Sequence, residues 1–303
     1  MASTQEFRRR IKSVNSTSQI TKAMEMVASV KMQKAQKTIL AARSYIQNSW
    51  NTLEMLAKIT SPDKHPLLKK RPVKKTGLMI ITSDRGLCGG YNTNILNKTL
   101  SYTKKETKIG VDSTIIADLD LISIGQKGTS QIAKLSNGKL VAEFTGFGKE
   151  IEFAETMPVT KMIIDDYLKG VYDQIVIIYS HFESSLKQTP VVKQILPITT
   201  EHIDIPELWE KALAREEKIE FKFEPDPDAI LEAILRQFIS IQIFGAILES
   251  NASEHSARMV AMKNATDNAK DLIDDLTLTY NAVRQDSITR EIAEICAGAE
   301  AMR

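Results

Sequence analysis

The residues best suited to chemistry lie in one short run, Ser83-Asp84-Arg85-Gly86-Leu87-Cys88-Gly89-Gly90-Tyr91-Asn92. An apolar stretch, Gly77–Thr82, precedes it and a helical pattern follows, so the run is a glycine-rich turn between a strand and a helix. Backbone N–H groups at such a turn can cradle a phosphate. The run lacks the Lys-Ser/Thr of a phosphate-binding loop and the full dinucleotide glycine spacing, and a tight packed turn is the plainer account of its glycines. The two cysteines, Cys88 and Cys296, form no metal-ligand spacing and no disulfide framework, which suits a reducing compartment. His65, His181, His202 and His255 show no ligand spacing either. No metal site and no bound cofactor are expected from these residues.

Around this turn the pattern is that of a small α/β domain. Gly77–Thr82, Ile115–Ile124 and Gln174–Ser180 read as buried strands, and Val191–Leu196 as an edge or antiparallel strand. Helices are expected over Asn92–Lys105, from Gly128 to Leu135 and over Pro158–Leu168. Strands alternating with helices argue a mostly parallel, Rossmann-like sheet. The expected boundaries are a helix over 1–60, a basic Pro-bearing linker over 61–76, the α/β domain over 77–223 and a final helix over 224–303.

The two ends are different in kind. In the first, apolar residues recur at Phe7, Ile11, Val14, Ile20, Met24, Val27, Met32, Ala35, Ile39, Ala42 and Ile46, and no Gly or Pro occurs before Pro62. About 55 helical residues would span ~80 Å. In the second, after Pro225 and Pro227, steps of three and four persist from Ile230 to Ile295. That is roughly 105 Å of helix, which Asp228 is placed to cap. Helices with such stripes must bury them, and patterns this long argue a coiled coil. Because they flank one domain, the chain leaves and returns to one place, and antiparallel pairing is the economical solution. The second helix is the longer, so its end, Ile288–Met302, overhangs, and its apolar surface calls for a surrounding partner.

Charge narrows the classes. The chain of 303 residues carries 40 basic and 38 acidic side chains, a net +2 that argues against general nucleic-acid binding. Met1–Ile46 is locally basic, nine cations against Glu6 and Glu25. Such a face suits nucleic acid, a membrane surface, an acidic protein or plain solvent. There is no signal-peptide pattern and no run of about 18 uncharged apolar residues, so membrane association is expected only through partners.

Four separated motifs occur in order. The first is Arg10-Ile11-Lys12-Ser13-Val14 with Gln19-Ile20-Thr21-Lys22-Ala23-Met24-Glu25-Met26-Val27, the second Ser83–Asn92, and the third Glu224-Pro225-Asp226-Pro227. The last comprises Ser253-Glu254, Arg258–Met262, Ala265–Ala269 and Tyr280-Asn281 with Arg284-Gln285 and Ile288-Thr289. In these motifs the chain resembles the gamma subunits of F-type ATP synthases. Ala282-Val283 and Cys296 depart from the usual pattern. The regulatory cysteines of the chloroplast form are absent.

The resemblance implies a non-catalytic rotor in the central stalk. Its partners would be three alpha and three beta subunits, an epsilon subunit and a ring of c subunits. It implies a peripheral position on the cytoplasmic face of the bacterial inner membrane. It also assigns residues. Lys22, Met24, Arg85, Cys88, Arg258, Arg284, Gln285 and Thr289 would contact alpha and beta, and Phe221 and Phe223 would lie at the foot near epsilon and the c ring. Two other readings stay open on the residues alone: a nucleotide-binding α/β enzyme with coiled-coil arms, and a static coiled-coil scaffold.

Overall fold

The computed structural model describes residues 4–59, 65–106, 118–135, 139–148, 151–198 and 227–302. Phe221 and Phe223, expected at the foot, and the side chain of Asp228 lie outside the described residues. Two compact units result, one of Met1–Val30 with Arg258–Arg303, the other of Lys31–Ala257.

The larger unit is built on five strands: β1 (Lys75–Ile81), β2 (Asp118–Ile124), β3 (Lys139–Phe144), β4 (Gln174–Phe182) and β5 (Gln188–Leu196). Their order is β3-β2-β1-β4-β5, with every pair parallel except β4 and β5. The mixed α/β class and the antiparallel last strand are as expected from the sequence. Strand β3 was not. Its residues alternate between exposed and half-buried at the sheet edge, so it lacks the continuous apolar run that marks its neighbours.

Helices α2 (Tyr91–Glu106), α3 (Gln126–Leu135) and α4 (Phe153–Leu168) fill the crossovers. Helix α4 starts five residues before the proline expected to open it. Pro158 sits in its second turn, where the missing N–H costs one intrahelical bond. The Glu152 N–H donates to Glu155 Oε2 at 3.1 Å, which fixes the earlier start.

Side-chain alternation divides the core. Leu78 and Ile80 of β1 join Leu121, Val176 and Ile178 under Tyr91, Ile95 and Leu96 of α2. Met79 and Ile81 join Ile122, Ile124, Ile175 and Ile177 on the opposite face. That face is covered by α4 and by the final helix, α5 (Pro227–Ala301), through Leu231, Leu235, Phe238, Ile239, Ile243 and Ile247. By length and composition α5 would pass for a membrane span, a feature the sequence pattern did not suggest. Half of the stretch concerned is buried, and its apolar character belongs to this core. The helix starts at Pro227, and proline suits a first helical position.

The smaller unit is a helical pair made of the start of α1 (Thr4–Ile59) and the end of α5. Arg8 contacts Tyr280, and Thr21 contacts Thr266. Thirteen residues forward on one helix match fourteen backward on the other, so the pairing is antiparallel. On α5 the shielded positions include Met262, Thr266, Ala269, Ile273, Leu276, Tyr280 and Val283, alternating by four and three. On α1 they are Phe7, Ile11, Val14, Ser18, Thr21, Glu25 and Ala28, with the same alternation. A strict seven-residue repeat of this kind is a coiled-coil seam.

The seam differs from the apolar stripe expected on α1. Ile20 and Val27, placed in that stripe, are 61% and 57% exposed, while Ser18 and Thr21 are buried. The seven-residue phase set by Phe7, Ile11 and Val14 continues through the polar residues. The apolar ones are rotated outward.

Candidate functional site

In doubly wound sheets, ligands bind outside the carboxyl ends of the strands, where the strand order reverses. Here that point lies between β1 and β4. The glycine-rich run follows β1 and therefore stands beside it.

The run is organised from within. Ser83 N–H donates to Asn92 Oδ1 at 3.1 Å, and Asn92 Nδ2 donates to Ser83 Oγ at 2.7 Å. Ser83 Oγ donates to the Arg85 carbonyl at 2.8 Å. The Cys88 thiol is buried in this knot, 3.3 Å from Asn92 Nδ2. Asp84 accepts three backbone N–H groups, from Gln126 at 3.2 Å, Gly146 at 3.0 Å and Gly148 at 3.3 Å. It thereby ties the turn to the start of α3 and to the loop after β3. Gly125 has φ +99°, and a Cβ there would stand 2.1 Å from the Thr82 carbonyl oxygen. Leu87 holds φ +62° yet is 63% exposed. That conformation costs a side-chain-bearing residue roughly 1–2 kcal/mol.

The crevice beyond the run is occupied by the chain itself. Residues Ser250–Ser256 of α5 are buried, although their composition is polar (Ser250, Asn251, Ser253, Glu254, His255, Ser256). Ser250 Oγ lies 2.6 Å from Tyr91 Oη at the start of α2. Asn251 Nδ2 donates to the Phe147 carbonyl at 2.8 Å, beyond β3. Ser253 Oγ donates to the Ser180 carbonyl at 3.0 Å, near the end of β4. Ser256 Oγ donates to the Ser185 carbonyl at 2.6 Å, and Gln188 Nε2 donates to Ser256 Oγ at 3.3 Å. Each bond contributes on the order of 1 kcal/mol net. Together they explain why polar residues are buried in this part of the helix: their partners are groups at the carboxyl edge of the sheet. Glu249 adds a 2.6 Å contact to His181 Nδ1 on β4.

The sequence-derived residues fall in several places. Arg85 is exposed on the turn, whereas the Cys88 side chain points into it. Arg258, 9% exposed, follows the buried polar run. On the helical pair, Lys22 is exposed and bonds Glu25 at 3.1 Å, and Met24 is half-buried. Arg284, Gln285 and Thr289 are exposed, with Thr289 Oγ1 donating to the Gln285 carbonyl at 2.9 Å. Among the described residues no group of His, Cys, Asp or Glu is arranged to hold a metal.

Sequence reasoning did not separate Ser250, Asn251 and Ser256 from the helix around them. The available signal was a run of small polar residues with no apolar member larger than alanine. It also missed an outward stripe on α1 formed by Ile20, Ala23, Val27 and Val30, spaced three, four and three apart, with Met26 beside it. Among the described residues the register finds no α1 partner for α5 beyond Arg284, and Ile288, Ile292, Ile295 and Met302 are 48%, 56%, 71% and 86% exposed.

These features define a class: an α/β domain whose ligand-binding edge is filled by its own terminal helix, borne by a chain whose two ends pair as a coiled coil. A family model described as ATP synthase matches residues 3–302. The ATP synthase gamma chain of Dehalococcoides mccartyi is 40% identical over 304 residues, and that of Heliobacterium modesticaldum is 38% identical over 302, each comparison covering 100% of both chains. The chain belongs to the family of ATP synthase gamma chains. A chain from the central stalk and c-ring structure of the Tetrahymena thermophila mitochondrial ATP synthase is 25% identical, with a TM-score of 0.53, covering 81% of this chain and 99% of that one. A chain of the Euglena gracilis mitochondrial enzyme shares the fold at 19% identity, with a TM-score of 0.65 over 99% of this chain and 94% of that one.

Proposed function

We propose that this chain is the central-stalk rotor of a bacterial F-type ATP synthase, turned by ion flow through a c ring and driving the catalytic sites of three alpha–beta pairs. The observation that carries this reading is the free end of α5. Residues from Ile288 onward form a helix with exposed isoleucines and no opposing residue of α1. Apolar side chains on a lone helix need a surrounding surface, and apolar contact is non-directional, so it persists as a shaft turns within a sleeve. The outward stripe of Ile20, Val27 and Val30 offers the same kind of contact from α1.

Charged residues would supply the position-dependent part. Lys22, Arg85 and Arg284 are exposed and suited to carboxylates of beta, with Arg able to bind them bidentately, and the exposed amide of Gln285 adds a neutral donor beside them. Thr289, Met24 and Arg258 complete the proposed contact set. Cys88, being buried, would act by shaping the turn that presents Arg85. Phe221 and Phe223, with the segment between β5 and α5, are assigned to the foot with epsilon and the c ring. In this reading the helix over 1–60, the linker over 61–76, the domain over 77–223 and the helix over 224–303 serve as shaft, joint, foot and shaft. The chain carries no catalytic site, works on the cytoplasmic face of the inner membrane and reaches the membrane through its partners.

Stoichiometry tests this. A native mass measurement of the assembled complex should find one copy per three alpha–beta pairs. A symmetric stoichiometry would favour a static scaffold. Titration of the chain alone with Mg-ATP tests the enzyme reading, which requires binding that is lost when Gly89 and Gly90 are changed.

A further inference from the structure

Near the end of the seam, one aromatic ring of α5 joins the two helices. Arg8 on α1 donates from Nη2 to Tyr280 Oη at 3.0 Å, and its guanidinium carbon lies 5.8 Å from the ring centroid. Arg284, one turn further along α5, places its own guanidinium carbon 5.9 Å from the same centroid. Tyr280 is half-buried in the seam, while both arginines are exposed. Among the described residues no carboxylate pairs with Arg284, although its neighbours are paired: Asp286 with Arg290 at 2.8 Å and Glu6 with Arg10.

We propose that Tyr280 is a positioning residue for Arg284, and that Arg8 holds Tyr280 in place from the other helix. An exposed arginine samples many rotamers, and fixing it costs entropy when it binds a carboxylate. A ring fixed beneath it removes part of that cost in advance. The ring can do this because it is itself held twice, by the seam on one side and by the Arg8 hydrogen bond at its hydroxyl. Arg8 thus gives the first turns of α1 a role at a residue of α5 that it does not touch. The inference rests on the proposed contact between Arg284 and an acidic group of beta.

The test uses the full chain assembled with alpha and beta subunits, in a cycle of Tyr280→Leu and Arg284→Gln, reading ATP turnover and the dwell times of single-molecule rotation. Tyr280→Leu should slow turnover about threefold to tenfold, the range set by exposed and desolvated cation–π contacts. In the Arg284→Gln background the same change should have less than about a twofold effect. Tyr280→Phe keeps the ring and its cation contacts and should retain most of the rate. Arg8→Leu removes both the hydrogen bond and the Arg8 contact over the ring and should slow turnover, and an unchanged rate would remove Arg8 from the proposal. Equal losses from Tyr280→Leu in both backgrounds would show a structural role and overturn the proposal. No loss from Arg284→Gln alone would overturn it too, by removing the contact it serves. Failure of the unaltered chain to assemble would instead contradict the rotor reading, and a thermal melt of each free variant separates misfolding from either.

Discussion

Thr21 and Thr266 meet across the helical pair with their hydroxyl oxygens 2.7 Å apart, both buried in a seam where a coiled coil ordinarily places aliphatic side chains. Each hydroxyl also reaches a carbonyl on its own helix, Thr21 that of Ser18 at 3.0 Å and Thr266 that of Met262 at 2.8 Å. A hydroxyl carries one proton, so the two threonines share two protons among three contacts. A polar pair of this kind favours one register, because a shifted pairing would set a hydroxyl against an apolar side chain.

Thr21→Val and Thr266→Val should therefore be strongly non-additive. Either change alone is expected to destabilise the chain by about 1 kcal/mol, since it leaves the other hydroxyl facing a methyl group. The double variant replaces a polar pair with an apolar pair of the same shape and should return close to the original stability. Urea unfolding of the four proteins reads this directly, and simple additivity would dismiss the pair as a register device.

Asp84 is a staple between the turn, the start of α3 and the loop after β3. Replacing it with alanine removes the acceptor for three backbone N–H groups and should cost about 2–4 kcal/mol in the α/β domain. Asn in its place keeps one oxygen and should cost less. Hydrogen exchange at Gln126, Gly146 and Gly148 reports the change locally. Unaltered protection at those three amides would contradict the assignment.

A second cluster, at the amino edge of the sheet, contributes to the behaviour at alkaline pH. Lys75 Nζ lies 2.8 Å from Asp120 Oδ2, and Tyr172 Oη donates to the same oxygen at 3.2 Å. The hydrogen bond to Asp120 raises the Lys75 pKa above its ordinary value, and burial with the nearby Asp120 charge raises that of Tyr172 well above 10.0. Both groups hold their protons more tightly folded than unfolded. The stability they contribute is complete below the unfolded values and is lost as pH rises past them, because the unfolded chain releases its protons first. Stability should fall above about pH 10, and Tyr172→Phe should lessen the slope. Parallel slopes for the two proteins in urea titrations between about pH 8 and 12 would remove Tyr172 from the account.

The tip prediction concerns assembly. Ile292→Lys with Ile295→Lys adds charge to two exposed positions and should leave the fold of the free chain unchanged, within about 0.5 kcal/mol. The same pair should weaken association with alpha and beta, read as a higher concentration for half-maximal assembly in native gels or mass measurements. Unchanged assembly would show that the tip is not the bearing surface.

Much of this architecture was legible in the sequence because its signals are local. The apolar runs of β1, β2 and β4 need no tertiary information to be seen, nor do the long helical periods at the two ends. Three features required the partner. Strand β3 is half-exposed and is defined by its pairing with β2. Ile20 and Val27 satisfy a helical period but not the seven-residue phase, and only the facing helix decides which of the two is buried. Ser250–Ser256 look like a solvated face until the carboxyl edge of the sheet is set against them. That last contact also changes the reading of Ser83–Asn92, whose glycines stand at the usual ligand edge of such sheets while the crevice itself is filled by α5.

The most direct test of the rotor reading is rotation itself. With the alpha and beta subunits fixed to a surface and a probe attached to the α/β domain of this chain, ATP should drive the probe in one direction with three pauses per turn. A probe that stays still while the same complex hydrolyses ATP would contradict the account.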